Sequence, residues 1–335
     1  MSQDESNKIQ VMESDDEFVE MLLERLEQAK LLFNDESPDM KRLYEVLHRT
    51  WQHIDRLERY SELQSKFLEF SLWFIQNEYL EEQALLYASD AGRYCNKEDF
   101  DKAKPIWIEF LENNPDSNFI PAMAGNFFLV HDTKEGERLL KKGIEKLPDV
   151  WFLPKILMEH FFDKWCLSEE NNENKKSFAQ KVVWTAPHIM THLDSGMPPD
   201  VPQIAECAWY LRDMELCKNL ADLLLHREHP YYWNRQGAAL FALIDFHEGH
   251  KEKALEFFRN DIADYFPDRL SIALVQEALR QGEREIVLDF VERKYGPDIH
   301  KQIAVQEIKE GKIPHFIWWR YNIEIHKKKL AAQAE

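Results

Sequence analysis

Apolar residues in this chain recur at spacings of three and four over most of its length, the period of one face of an α-helix. The first such face begins near Asp15 and runs through Phe18, Val19, Leu22, Leu23, Leu26, Ala29, Leu32 and Phe33. Ser37-Pro38-Asp39 interrupts it, and Pro38 suits the first turn of a second helix, where a missing N–H costs nothing. That second helix carries Leu43, Val46, Leu47, Trp51, Ile54 and Leu57. A third is predicted from Ser61 through Ile75, and a fourth from Tyr79 through Tyr94. Further helices are predicted over Lys97–Asn113, Asn118–His131, Thr133–Leu147 and Val150–Cys166.

The turns within this last group repeat. Asn114-Pro115-Asp116-Ser117-Asn118-Phe119-Ile120-Pro121 returns as Leu147-Pro148-Asp149-Val150-Trp151-Phe152-Leu153-Pro154, and both prolines are displaced by 33 residues. A fixed period of that size with prolines at the turns is the signature of stacked helical hairpins. Each hairpin hides its apolar face only against its neighbours, so such chains build extended surfaces rather than a closed cup. Ser168 to Lys176 contains no apolar residue and predicts an exposed linker, and Asp194 to Pro202 predicts a second loop. Beyond them, His229-Pro230 and Phe266-Pro267 lie 37 residues apart, and Gly296-Pro297 lies 30 further on.

The expected fold class is therefore all-α, an α-solenoid of antiparallel helical hairpins with an N-terminal bundle or capping region. Residues 1–14 read as a disordered acidic N-terminus and 15–95 as an N-terminal helical region. Residues 96–167 hold repeats, 168–202 an insertion with one helix, and 203–335 further repeats with a capping helix. That cap, Ile313 to Leu330, carries Phe316, Trp318 and Trp319 and closes on Lys327-Lys328-Lys329, cations that suit the last turn of a helix.

Composition narrows the function. The chain has 335 residues, 44% of them hydrophobic, enough to bury a substantial core. No apolar run approaches the roughly 18–20 residues needed to cross a bilayer. The first ten residues have neither a basic nor an apolar region of the secretory kind. Cys95, Cys166, Cys207 and Cys217 form no CxxC and no disulfide framework, so buried reduced thiols and a cytoplasmic location are expected. Net charge is −19, uneven along the chain: residues 1–167 hold 34 acidic and 20 basic residues, the remainder 27 and 22. Such a chain repels phosphate backbones, which disfavours nucleic acid. A basic protein or peptide partner would be drawn in faster.

Several residues resemble the tetratricopeptide-repeat family. Ala103, Trp107 and Pro115 match the second-helix pattern, and Gly125 and Phe128 match the first-helix glycine and aromatic. Gly136, Leu140, Gly143 and Pro148 stand where that family has Ala, an aromatic, Ala and Pro. Trp233, Gly237 and Leu240, then Ala254, Phe258 and Pro267, repeat the two patterns. The resemblance spans roughly Lys97 to Pro297 and is weak over Glu169 to Pro202. It implies a groove, lined by the first helix of each pair, that binds peptides or proteins. Carried over position by position, the groove would include Phe119, Asn126, Lys155, Glu159, Tyr231, Asn234 and Phe241. Phe119, Tyr231 and Phe241 would be aromatic anchors, and Asn126 and Asn234 would hold partner backbone groups. Gly125-Asn126 also resembles the start of a carboxylate clamp, but Ala122 and Glu159 stand where that clamp uses basic or neutral polar groups.

Candidate chemistry is sparse. His188-Ile189-Met190-Thr191-His192 sets two imidazoles at i and i+4 on one helical face, and Asp194 would be a third metal ligand. His226-Arg227-Glu228-His229 and His247-Glu248-Gly249-His250 fall at predicted helix ends and are not HExxH. No GxSxG, GxxxxGK[ST] or GxGxxG occurs. The leading expectation is a non-enzymatic scaffold or adaptor without a cofactor, its groove facing a basic protein or peptide. A ligand-responsive regulator or an inhibitor of a basic toxin is the alternative within the binding class. A metal-dependent enzyme centred on His188 and His192 is the alternative outside it.

Overall fold

The computed structural model describes residues 20–28, 40–51, 61–76, 82–168, 173–192, 201–226, 231–260, 268–294 and 299–314. After a helical stretch at 20–28, sixteen helices follow among these residues, and no strand occurs. They are α1 (Met40–Trp51), α2 (Ser61–Gln76), α3 (Glu82–Tyr94), α4 (Lys97–Asn113), α5 (Phe119–Phe128), α6 (Thr133–Lys146), α7 (Phe152–Leu167) and α8 (Glu173–Trp184). The series continues with α9 (Ala186–Met190), α10 (Val201–Leu211), α11 (Met214–His226), α12 (Tyr231–His247), α13 (Lys251–Arg259), α14 (Arg269–Arg280), α15 (Arg284–Lys294) and α16 (Ile299–Lys309). The protein is all-α, and none of these helices is long and apolar enough to cross a membrane.

Short polar residues set the boundaries. The Asn96 side chain accepts from the Asp99 amide at 2.9 Å and starts α4. Asp132 starts α6 by accepting from the Glu135 amide, and Asp268 starts α14 by accepting from the Ser271 amide at 3.0 Å. Pro115 and Pro148 lie in the turns that follow α4 and α6. The predicted cap beyond Pro314, including Trp318 and Trp319, lies outside the described residues.

The chain forms two compact units, and the boundary falls inside α7, between Leu157 and Met158. In the first unit α1 packs on α2 and α3, α2 on α3 and α4, α3 and α4 on α5, and α5 on α6. In the second, α8 packs on α9 and α10, α11 on α10 and α12, and α12 on α10, α13 and α14. There α13 and α14 also meet α15, α15 meets α16, and α10 reaches α14. With that last exception, these contacts join helices that are next or next but one in sequence.

Small residues make the tightest crossing. A Cβ on Gly125 would lie 2.8 Å from the Leu140 amide nitrogen, and one on Gly136 would lie 2.6 Å from the Leu129 Cα. The backbones of α5 and α6 therefore meet with no space for a side chain between them. The spaces beside this crossing are filled by aromatics: Trp107 and Phe127 stack at 5.3 Å, and Phe127 stacks on Phe100 at 5.5 Å. Ala103, Trp107, Leu140, Leu240, Ala254 and Phe258, singled out by pattern, are all fully buried.

One expectation fails locally. The exposed linker predicted over 168–176 is helical from Glu173 onward, and Lys175 within it is buried. Its aliphatic stem lets a charged residue cover apolar surface, which a hydropathy pattern does not register.

Candidate functional site

The seven residues assigned to a groove separate into different environments. Phe119, at the start of α5, is buried and meets Phe152 edge-on at 6.2 Å. Asn126 is fully buried. Its amide donates to Ser89 Oγ at 2.8 Å and to Asp90 Oδ1 at 2.7 Å, and its carbonyl oxygen accepts from Arg93 Nε at 3.2 Å. The other Asp90 oxygen accepts from Trp51 Nε1 at 2.7 Å. Both amide protons and the carbonyl of Asn126 are thus used within the first unit. This corrects the expectation that Asn126 holds a partner's backbone or opens a clamp, and Phe119 is a packing residue rather than an exposed anchor. The physical reason lies in α5 itself: nine of its ten residues are buried, so it has no open face on which a groove residue could stand.

Lys155 and Glu159 are both half-buried on α7, one on each side of the unit boundary. The Tyr231 side chain lies outside the described residues, although its backbone opens α12. Phe241, further along α12, is half-buried. Asn234 is half-buried too, and its carbonyl oxygen is shielded from solvent with no donor to receive. A shielded, unpaired oxygen is costly unless a ligand supplies the missing N–H.

The second unit holds a polar cluster that no motif announced. Arg269, the first residue of α14, places Nη1 3.1 Å from Glu206 Oε2 on α10 and 2.9 Å from Cys166 Sγ on α7. Its guanidinium lies over the Phe162 ring, 4.4 Å from the centroid. Phe162 stacks on Trp165 at 5.5 Å, and Trp165 meets Tyr210 edge-on at 5.7 Å. The Lys175 ammonium lies 5.3 Å from the Trp165 ring centroid and 5.7 Å from that of Tyr210. Beside the cluster, Arg235 of α12 donates to Asp268 at 2.8 Å, a buried pair that ties α12 to the cap of α14. The indole N–H of the half-buried Trp165 is shielded and has no acceptor.

Burial pushes the Glu206 carboxyl up to about 7, against the pull of Arg269. Burial also pushes the thiols of Cys95, Cys166 and Cys217 up to about 12, and that of Cys207 well upward. All four thiols are free and none is held as a thiolate, so none is poised for attack. The cluster thus combines cation-covered ring faces with one unpaired donor.

The two histidines singled out as metal ligands are separated by a helix end. Helix α9 ends at Met190, so His192 lies in the turn beyond it rather than on the same helical face as His188. His188 sits instead against Trp184, ring centroids 5.0 Å apart, and Asp194 lies outside the described residues. Among the described residues, one set of three ligating groups converges: Asp245, Glu248 and His250. No protein-family model matches this chain, and no curated protein matches it.

Proposed function

We propose that the protein is a non-enzymatic helical-repeat scaffold of tetratricopeptide-like, α-solenoid design that binds an extended segment of a protein partner. Support for the repeat design comes from helices that pack on their next and next-but-one neighbours within each unit. Small residues at the crossing of α5 and α6 add to it. The observation that carries the binding role is the unpaired polar complement of the second unit. The Trp165 N–H lacks an acceptor, and the carbonyl oxygens of Asn234 and Gln236, on one helix, lack donors. Peptide groups offer one acceptor and one donor each, which is the complement these side chains miss. Half-buried Trp165 and Tyr210 supply aromatic anchoring area in the same unit. The partner is basic: a net charge of −19 speeds encounter with a cation-rich segment and makes capture sensitive to salt.

Selection from a random peptide library on the immobilised full chain, at low and then high salt, tests this reading. Basic sequences that release with salt, and that bind at least about tenfold more weakly to Trp165→Ala or Asn234→Ala, are expected. No enriched sequence at low salt, or equal binding by both variants, contradicts it.

A further inference from the structure

We propose a divalent-metal site of the zinc class at the C-terminal end of α12, built from Asp245, Glu248 and His250. The turn that makes it is dictated by Gly249, whose φ of +83° is the left-handed conformation that ends helices. The His250 amide donates back to the Asp245 carbonyl at 2.8 Å, and the Gly249 amide to that of Phe246 at 3.2 Å. This folds residues 248 and 250 back over the side chain of residue 245.

His250 then stands at the N-cap of α13, yet its side chain makes no capping hydrogen bond. The imidazole turns to the two carboxylates instead. Nδ1 lies 3.6 Å from Asp245 Oδ1 and 3.7 Å from Glu248 Oε2, beyond hydrogen-bonding distance for both. The ligating atoms of the three residues all lie within 4.8 Å of one another. Zinc–nitrogen and zinc–oxygen bonds of about 2.0–2.2 Å in a tetrahedron separate neighbouring donors by about 3.4 Å, so both carboxylate–imidazole spacings are a few tenths of an ångström from a ligand pair. Mixed imidazole and carboxylate donors suit zinc and its first-row neighbours better than calcium or magnesium. Three protein donors leave a fourth position open to water.

The supporting groups fit the same reading. Asp245 is almost fully buried, so its carboxylate is held in place, while Glu248 and His250 are open to solvent and leave an entry path. Lys218 of α11 binds Glu248 Oε1 at 2.6 Å, which leaves Oε2 turned to His250. The negative end of the α12 dipole favours a cation at this place. One group competes: the Lys253 ammonium lies 3.0 Å from Asp245 Oδ1. Its side chain is 67% exposed, so a metal ion can displace it into water at little cost.

Equilibrium dialysis of the full chain against Zn²⁺, with helicity checked by circular dichroism, tests the site. The wild type is expected to hold one zinc equivalent, His250→Ala to bind at least about tenfold more weakly, and Lys253→Ala about threefold more tightly. His188→Ala is expected to bind as the wild type does. The proposal is overturned by no zinc equivalent in the wild type, by undiminished binding in His250→Ala, or by weaker binding in Lys253→Ala. A loss of the equivalent in His188→Ala overturns it as well, by placing the metal on the other histidine pair.

Discussion

Two asparagines that one pattern places in equivalent roles end in opposite states. Asn126, in the first unit, is sealed in a core and spends its whole amide on Ser89, Asp90 and Arg93. Asn234, in the second, is half-buried, with a carbonyl oxygen that receives no donor. The contrast extends to their surroundings. The first unit closes the polar groups around Asn126 on a helix buried on nine of ten residues, although the indole N–H of its Trp107 has no acceptor. The second leaves Trp165, Asn234 and Gln236 each with an unmet hydrogen-bonding atom, while cations lie over aromatic rings in both units. A satisfied buried network serves to specify one packing arrangement, whereas an unsatisfied one invites a ligand.

Substitutions that break this comparison differ in size. Trp107→Ala, which empties the space beside the crossing of α5 and α6, is expected to cost about 3–5 kcal/mol of stability by denaturant titration. Next comes pH. The folded carboxyl of Glu206 titrates at about 7, above its ordinary value of 4.5, so the folded state keeps a proton that the unfolded state has released. Its contribution is fully present below pH 4.5 and is lost as pH rises through about 7. Over that window stability is expected to fall by about 3 kcal/mol in the wild type relative to Glu206→Gln, which lacks the titration. An equal slope in both proteins would show that the Glu206 carboxyl is not held protonated.

Smaller still, Asn126→Ala strips partners from Ser89, Asp90 and Arg93 and is expected to cost about 2 kcal/mol. Asn234→Ala is expected to change stability by less than about 0.5 kcal/mol, because no internal hydrogen bond to that carbonyl is lost. A large loss in Asn234→Ala, or none in Asn126→Ala, would erase the distinction between the two asparagines.

Much of the architecture was legible from residue spacing. Asn96, Asp132 and Asp268 start helices by a local side-chain bond, and Pro115 and Pro148 mark turns, so boundaries follow from near neighbours. The resemblance to the tetratricopeptide pattern likewise picked out Ala103, Trp107, Gly125 and Gly136, which meet in the first unit's core. The direction in which Asn126 points was not legible. On a helix buried almost all round, the three- and four-residue period loses its polar face, and a core asparagine looks like a groove asparagine. The Arg269 cluster was hidden for another reason: its partners Glu206 and Cys166 lie 63 and 103 residues away in sequence, so no motif spacing joins them. The Asp245 set was half visible, since His247-Glu248-Gly249-His250 stands out as a turn. Only the left-handed Gly249 folds it back onto Asp245.

The most direct test of a scaffold whose second unit faces its partner is hydrogen exchange on the full chain, with and without the tightest peptide from the basic library. Slowed exchange confined to α7, α10 and α12, with α5 unchanged, is the predicted result. Protection centred on α5, or none in the second unit, would contradict it.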